Sequence, residues 1–119
     1  MYREIILDHY KNPRNFGKIK NANAKAEKKN PLCGDEIAMD IKISKTNKIE
    51  DIKFHGAGCS VSRAGGSILT EAIKGKTLSQ MKKYTDQDFL KEMAAPITPA
   101  RKKCALLALE TVRQALEIK

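Results

Sequence analysis

Two neighbouring segments of alternating apolar and polar side chains constrain the fold of this chain more than any other feature. Apolar residues recur at every second position over 37–43, and the segment 49–55 repeats the alternation with Ile52 and Phe54 on one side. The polar stretch SKTNK between them is typical of a hairpin turn. A weaker alternation of alanines over 22–26 is a candidate edge strand. The pattern therefore predicts a small three-stranded antiparallel sheet.

Apolar residues at helical spacing precede and follow this sheet. Threonines suited to N-capping open the two short middle segments, and Thr98 with Pro99 opens the last one. Such a chain is predicted to fold as one α+β domain over 1–119, with helices packed on one face of the sheet. The predicted helical segments are residues 2–11, 61–72, 77–84, 85–93 and 98–116.

Composition limits the classes of partner. The 119 residues carry 23 Lys+Arg against 14 Asp+Glu, a net charge of +9, which is compatible with an acidic or polyanionic partner. The lysines are scattered and the few aromatic residues do not alternate with them, so a solvated surface is favoured over a nucleic-acid interface. No segment approaches the roughly 18 apolar residues of a membrane span, and the N-terminus is too charged for a secretory signal. We therefore expect a cytoplasmic protein that binds neither nucleic acid nor membrane.

Three cysteines fall at the boundaries of predicted elements. Cys33 precedes the first clear strand, Cys59 lies where the second strand passes into a helix, and Cys104 lies about one turn into the last helix. An odd number of cysteines argues against a closed disulfide framework, and thiols stay reduced inside cells. Side chains near element ends can converge at one tip of a domain, so a shared site is expected there.

The residues around two of these cysteines favour thiolates. Cys59 follows the glycines of HGAGC and meets the free N–H groups of a helix start, where a thiol pKa is expected to fall. Cys104 follows three cations, of which Arg101 projects near the apolar stripe at the helix tip and Lys103 toward solvent. Arg101 and Lys103 are therefore candidate modulators of the site.

Thiolates select zinc, copper(I) or iron–sulfur clusters, and a three-thiolate site needs a fourth ligand. Asp35 is the nearest candidate in the sequence. Zinc accepts three thiolates and a carboxylate, whereas an iron–sulfur cluster usually takes four thiolates, so a carboxylate would make a cluster site more labile. Temporary holding of a cluster fits this ligand set. Two alternatives stay open at this stage: Cys104 could be a small buried core residue, and Asp35 could shape a local Asx turn.

Four other positions have less specific interpretations. His9 lies on the apolar face of the first helix, which indicates a packed, hydrogen-bonded histidine, and His55 lies on the polar face of its strand. Gly65 and Gly66 lie inside a predicted helix, where each costs about 1 kcal/mol relative to alanine. Either close packing of that helix on the sheet or access to the cysteine-bearing tip could account for them.

Four motifs, in order, resemble a known family. LDHYKNPRNFG, CGDE, GAGCSVS and ARKKCALLALE are similar to the signatures of the U-type iron–sulfur cluster assembly scaffolds, which include IscU, SufU and the N-terminal domain of NifU. The likeness covers nearly the whole chain. It implies their α+β fold, with a transient [2Fe–2S] cluster built at one exposed end from iron and from the persulfide of a cysteine desulfurase. The cluster would then pass to recipient apoproteins or carriers, so the chain is expected to be a scaffold and not an enzyme.

The resemblance also implies roles for particular residues. Cys33, Asp35, Cys59 and Cys104 match the cluster or metal ligands, with Cys104 as the first persulfide acceptor and Cys33 as the second. Lys103 stands where IscU members typically carry a histidine, and the ARKKC context is closer to SufU, although the SufU insertion before the last helix is absent. The alternative is therefore a zinc-bound, SufU-like sulfur acceptor that serves a desulfurase. The scaffold itself would be a monomer or a cluster-bridged dimer.

Overall fold

The computed structural model describes residues 2–30, 34–93 and 97–118. Five helices and a three-stranded sheet are found in this part of the chain, in the sequence order that the side-chain patterns predict. The elements are α1 (Tyr2–Lys11), β1 (Ala24–Asn30), β2 (Asp35–Ile43), β3 (Ile49–His55), α2 (Ser60–Ile73), α3 (Leu78–Lys83), α4 (Asp86–Glu92) and α5 (Pro99–Ala115).

The sheet is antiparallel, with β2 between β1 and β3. Met39 pairs with Phe54 and Ile41 with Ile52, which confirms the predicted hairpin and the inward face of its second strand. The weak alanine alternation does form the edge strand, but this strand begins at Ala24 and continues to Asn30 through lysines that the sequence pattern left out. Lysines along an edge strand discourage pairing with other chains.

Helices α2 and α5 pack on one face of the sheet, as predicted, and α1 lies against α2. Between the sheet and the two helices lies a core of fully buried side chains, whose burial is the main force that holds the layers together. The largest apolar ones contributed by the sheet and these two helices are Met39, Ile41, Ile49, Ile52, Leu69, Ile73, Leu109 and Val112.

The other face of β2 is more buried than an alternating strand predicts. Ala38 and Asp40 point away from the helices, yet they are only 8% and 6% exposed. Ile19, from the segment that connects α1 to β1, is also buried, and its N–H donates a hydrogen bond of 3.0 Å to Asp40 Oδ2. This connection therefore covers part of the sheet's second face and provides a partner for the buried carboxylate.

Close packing explains the two glycines inside α2. A Cβ on Gly66 would lie 2.7 Å from the ring of Phe54, and one on Gly65 would lie 3.3 Å from the carbonyl oxygen of Ala105. Gly66 thus lets α2 approach the sheet, and Gly65 lets it approach α5. Of the two alternatives left open by the sequence, these contacts favour helix packing.

His9 joins α1 to α2 through a buried hydrogen bond. Its Nδ1 lies 2.7 Å from Ser67 Oγ, and Arg14 N–H donates a bond of 2.8 Å to the same hydroxyl. Because Ser67 accepts that backbone proton, its own proton is available to a neutral His9. The histidine is 9% exposed, as expected for a packed residue. Burial, followed by the charge of Arg14, lowers the pKa of His9 from its ordinary value near 6.5, although Glu71 and Asp8 act in the opposite direction.

A pH dependence of stability follows from this lowered pKa. Below about pH 6.5 the unfolded state binds a proton on His9 more readily than the folded state does. The free energy of unfolding should therefore decrease as the pH is lowered, and should become constant below the pKa of His9 in the folded state. Above about pH 6.5 both states are neutral and His9 contributes no slope. Urea unfolding between pH 7.5 and 5 checks this expectation.

Asp8 and Asp88 have carboxyl pKa values lowered from the usual 3.8. These shifts change the free energy of unfolding mainly below about pH 3.8 and so do not contribute to a slope between pH 7.5 and 5. His9→Gln should flatten the slope. An unchanged slope in His9→Gln would contradict this assignment.

None of the helices in the described ranges is both long and apolar enough to cross a membrane.

Candidate metal centre

Three of the four predicted ligands meet at one end of the fold. Asp35 is the first residue of β2, Cys59 is the N-cap residue of α2, and Cys104 lies within α5. One carboxylate oxygen and the two Sγ atoms all lie within 4.8 Å of one another. Cys33 lies outside the described residues, between Asn30 and Asp35, which pair across β1 and β2. The centre is therefore assembled from a strand start, a helix start and the first half of another helix.

The glycines before Cys59 allow the chain to pass close to β2. Gly56 has a positive φ of 129°, and a Cβ there would lie 2.2 Å from the carbonyl oxygen of Glu36. In the same turn the N–H of Glu36 donates a hydrogen bond of 2.7 Å to the carbonyl of Ala57. This close approach fixes the start of α2 against the start of β2, and so brings Cys59 to Asp35.

Asp35 caps helix α2 from a distant part of the sequence. Its Oδ1 accepts a hydrogen bond of 2.9 Å from the N–H of Cys59, a residue whose own side chain makes no capping bond. The positive end of the helix favours a carboxylate at this place. Asp35 is only 1% exposed, and its Oδ2 lies 3.7 Å from Cys59 Sγ. One carboxylate oxygen is thus held by the backbone while the other faces a thiol.

Ser62 was not identified from the sequence, although it belongs to this junction. It is 1% exposed, and its hydroxyl donates a hydrogen bond of 3.1 Å to the carbonyl of Cys59. A Cβ on Gly58 would lie 2.3 Å from Ser62 Oγ and 3.1 Å from Asp35 Oδ1. Glycine at this position therefore leaves room for both groups. A serine in the first turn of a helix was the available signal, but it does not specify the partner.

The two described thiols differ in exposure. Cys59 is partly exposed, whereas Cys104 is only 5% exposed and thus more buried than a position at the rim of the helix stripe suggests. The close contact of α5 with α2, at Ala105 and Gly65, accounts for this burial.

The cations before Cys104 lie on the outside of α5. The side chains of Arg101, Lys102 and Lys103 are all exposed. Arg101 is therefore not buried, although the sequence places it near the apolar stripe of the helix. His9 and His55 are not part of the centre: His9 contacts Ser67, and His55 Nε2 lies 3.8 Å from Asp40 Oδ1. The described donors are thus two thiols and one carboxylate.

This donor set fits a thiophilic metal or an iron–sulfur cluster. Cysteine thiolates bind zinc and iron–sulfur clusters, and a carboxylate is an accepted zinc ligand. The spacing of the three donor atoms would allow them to share one ion. Because two of the three groups are largely buried, an ion held here would be partly screened from water.

Known proteins share this chain's sequence and fold. An iron–sulfur cluster assembly scaffold protein, IscU 1 of Archaeoglobus fulgidus, is 40% identical over 116 residues, covering 98% of this chain and 74% of the relative. The zinc-dependent sulfurtransferase SufU of Bacillus subtilis is 38% identical over 131 residues, covering 96% and 88%. The iron–sulfur cluster assembly enzyme IscU of Drosophila melanogaster is 34% identical over 119 residues, covering 98% of this chain and 76% of the relative.

The structural comparison agrees with the sequence. A Fervidobacterium islandicum protein, described as an iron–sulfur cluster assembly scaffold for the SUF system, superposes with a TM-score of 0.82 at 32% identity, covering 95% of this chain and 94% of that one. The α+β fold with its three-stranded antiparallel sheet is therefore the fold of this group. Residues 1–118 match the NifU-like N terminal domain, and the chain belongs to that family.

Proposed function

We propose that this protein is a scaffold on which a transient [2Fe–2S] cluster is assembled from iron and from the persulfide sulfur of a cysteine desulfurase, and then passed to recipient proteins. The meeting of Asp35, Cys59 and Cys104 within 4.8 Å, in a chain related to IscU scaffolds, is the observation that supports it most directly. Cys33, two residues before Asp35 in the sequence, is proposed as the further thiolate ligand.

Asp35 is proposed to keep the cluster labile. Its Oδ1 accepts the Cys59 N–H and its Oδ2 faces the Cys59 thiol, so Oδ2 is the oxygen proposed to meet a metal bound by that thiol. A single carboxylate oxygen is a weaker partner for iron than a thiolate. Three thiolates would hold the cargo, and the carboxylate would release it more readily than a fourth thiolate could.

Cys104 is proposed to receive sulfur first, with Cys33 as the second acceptor. Its thiolate attacks the outer sulfur of the donor's persulfide, so that a new S–S bond forms on Cys104 while the donor's S–S bond breaks and the donor leaves as a thiolate. No external oxidant is needed for this exchange. Since Cys104 is only 5% exposed, the donor must open the packing around this part of α5 when it docks. Arg101 and Lys103 would favour the thiolate through their charge.

Zinc-dependent sulfur transfer is the second candidate function. The observation that favours it is the 38% identity to the Bacillus subtilis zinc-dependent sulfurtransferase. In this case the same residues hold Zn²⁺, which would keep the thiols deprotonated until the sulfur donor displaces one of them. The protein would then hand on persulfide and not a cluster.

An anaerobic assembly assay separates the two functions. The protein is mixed with ferrous iron, cysteine, a cysteine desulfurase from the same organism and a thiol reductant, which supplies the electrons that convert persulfide sulfur to sulfide, and visible absorption is recorded. Absorption of a bridged ferric sulfide cluster that is lost in Cys59→Ala supports the scaffold. Tightly bound zinc and increased desulfurase turnover, without such absorption, supports sulfur transfer and contradicts the scaffold.

Replacing Asp35 with alanine should lengthen the lifetime of an assembled cluster. The substitution removes the weak oxygen ligand that is proposed to favour release. The measurement is the decay of visible absorption after a chelator is added, with Asp51→Ala as the control, because Asp51 pairs with Lys74 at the C-terminal end of α2, opposite the end that carries Cys59. A shorter lifetime in Asp35→Ala, with an unchanged control, would contradict the proposed role.

A further inference from the structure

Arg63, in the first turns of α2, is held by aromatic rings and a backbone carbonyl. Its guanidinium carbon lies 4.7 Å from the ring centroid of Phe16 and 5.7 Å from that of Tyr10. Its Nε donates a hydrogen bond of 3.2 Å to the carbonyl of Tyr10, near the C-terminal end of α1. Stacking of this kind leaves the outer N–H groups of a guanidinium free to bind a planar anion.

The core fixes the aromatic part of this arrangement. Phe16 packs edge-on against Phe54, with ring centroids 5.2 Å apart and an interplanar angle of 85°. Phe54 is 2% exposed and lies against Gly66, so it has little freedom to move. Arg63 is therefore preorganised, and less side-chain entropy would be lost when it binds a partner.

No carboxylate of the described residues lies within 4.0 Å of this guanidinium, although five other Lys or Arg side chains among them do pair with a carboxylate. Exposed apolar side chains lie on one side of it: Tyr10 and Phe16, whose rings face it, are 39% and 42% exposed, and Leu7 of α1 is 43% exposed. Leu7 precedes Tyr10 by three residues on α1 and so lies next to it on the helix surface. A preorganised cation beside exposed aromatic rings is the composition of a protein-binding hot spot.

This surface adjoins the thiol end of the fold. The N–H of Arg63 donates a hydrogen bond of 3.0 Å to the carbonyl of Cys59, one helical turn earlier. Arg63 lines one hollow with Gly58 and Ser62 of the thiol end, and Glu36 and His55 line it as well. A protein large enough to deliver sulfur at the metal centre would therefore also cover Arg63.

We propose that Tyr10, Phe16 and Arg63 form a docking surface for the sulfur-donating desulfurase, which places a carboxylate against Arg63 and an apolar side chain on the two rings. The inference rests on the proposed function, because it needs a protein that delivers sulfur at this end. A carboxylate of the partner would provide the anion that the stacked guanidinium does not have among the described residues. Bidentate Arg–carboxylate pairs are strong and geometrically specific.

Binding of the same cysteine desulfurase to Arg63→Gln tests this surface. Glutamine can still donate to the Tyr10 carbonyl, but it has no charge and cannot bind a carboxylate as a guanidinium does. We expect its Kd to rise about tenfold or more, as for a hot-spot residue, and Arg63→Lys to recover only part of the loss. Lys82→Ala, which removes one exposed positive charge on α3, is the matched control and should bind as the native protein does.

Cobalt(II) absorption and the binding of other proteins show whether a loss of affinity is specific to the desulfurase. Cobalt(II) bound by the thiols should give the same absorption in native and Arg63→Gln protein, since the metal centre is intact. A Kd within twofold of native, a loss equal to that of Lys82→Ala, or weakened binding only of a recipient apoprotein or of a second copy of this chain would each overturn the proposal. If the native protein itself bound no desulfurase, the proposed sulfur delivery would be contradicted together with the docking surface. If the native protein bound the desulfurase and Arg63→Gln bound it equally well, only the docking surface would be contradicted.

Discussion

Replacing Cys104 with alanine is expected to lower the affinity of the protein for Zn²⁺ or Co²⁺ by about 100-fold or more. Loss of a group that only supports a ligand typically reduces metal affinity about 10–100-fold, and loss of a thiolate ligand should exceed that. The Sγ atom of Cys104 lies within 4.8 Å of the Cys59 thiol and of an Asp35 oxygen, so all three can reach one ion. Titration with Co²⁺, read from its thiolate absorption and competed with Zn²⁺, measures the effect.

Cys59→Ala is the companion variant for this prediction. Because the two thiols would serve one ion, both substitutions should weaken binding by a comparable factor. The thermal stability of the metal-free proteins provides the folding control, since Cys104 is buried and its loss leaves a small cavity. If Cys104→Ala folded and bound Co²⁺ like the native protein, Cys104 would be a core residue, the alternative that the sequence allows.

Gly56→Ala should lower the free energy of unfolding by about 2–4 kcal/mol, because it combines backbone strain with a steric clash. The φ of Gly56 is +129°, and an added Cβ would lie 2.2 Å from the Glu36 carbonyl oxygen and 3.3 Å from Ile37 Cα. Both are backbone atoms of β2, so relief requires the turn to move away from the strand. That movement would also carry Cys59 away from Asp35, and metal affinity should fall with stability.

Gly75→Ala is the matched control for this effect. Gly75 also has a positive φ, +93°, but a Cβ there would meet nothing within 4 Å. Gly75→Ala should therefore lower the free energy of unfolding only through the strain of a positive φ, by about 1–2 kcal/mol, and metal affinity should be unaffected. Chemical denaturation and Co²⁺ titration of both variants separate the terms. Equal losses of stability in the two variants would show that the contact with β2 has no energetic weight.

Local rules were sufficient for most of the fold. Alternation identified β2 and β3, and threonines marked the starts of α3 and α4, where Thr77 and Thr85 both form complete capping boxes. The lysine-rich part of β1 was missed because an exposed edge strand needs few apolar residues. The burial of Asp40 was also missed, since it depends on Ile19, which lies 21 residues away in the chain.

The site was predictable to a similar extent. Cysteines at element ends indicated convergence, and the structure brings Cys59, Cys104 and Asp35 together. Their separation could not be predicted, because it depends on how closely Gly65 lets α2 approach α5. The hydrogen bond that the Cys59 N–H donates to Asp35 joins residues 24 positions apart, and no local pattern encodes it. Arg63 was overlooked for the same reason: its aromatic partners come from α1 and the segment after it.

X-ray absorption at the zinc edge tests most directly whether Asp35, Cys59 and Cys104 bind one metal together. The native protein should show sulfur neighbours at about 2.3 Å and an oxygen neighbour at about 2.0–2.2 Å. Cys59→Ala and Cys104→Ala should each lose one sulfur neighbour, and Asp35→Ala should lose the oxygen. A sulfur count that stays unchanged in either cysteine variant would contradict the shared centre.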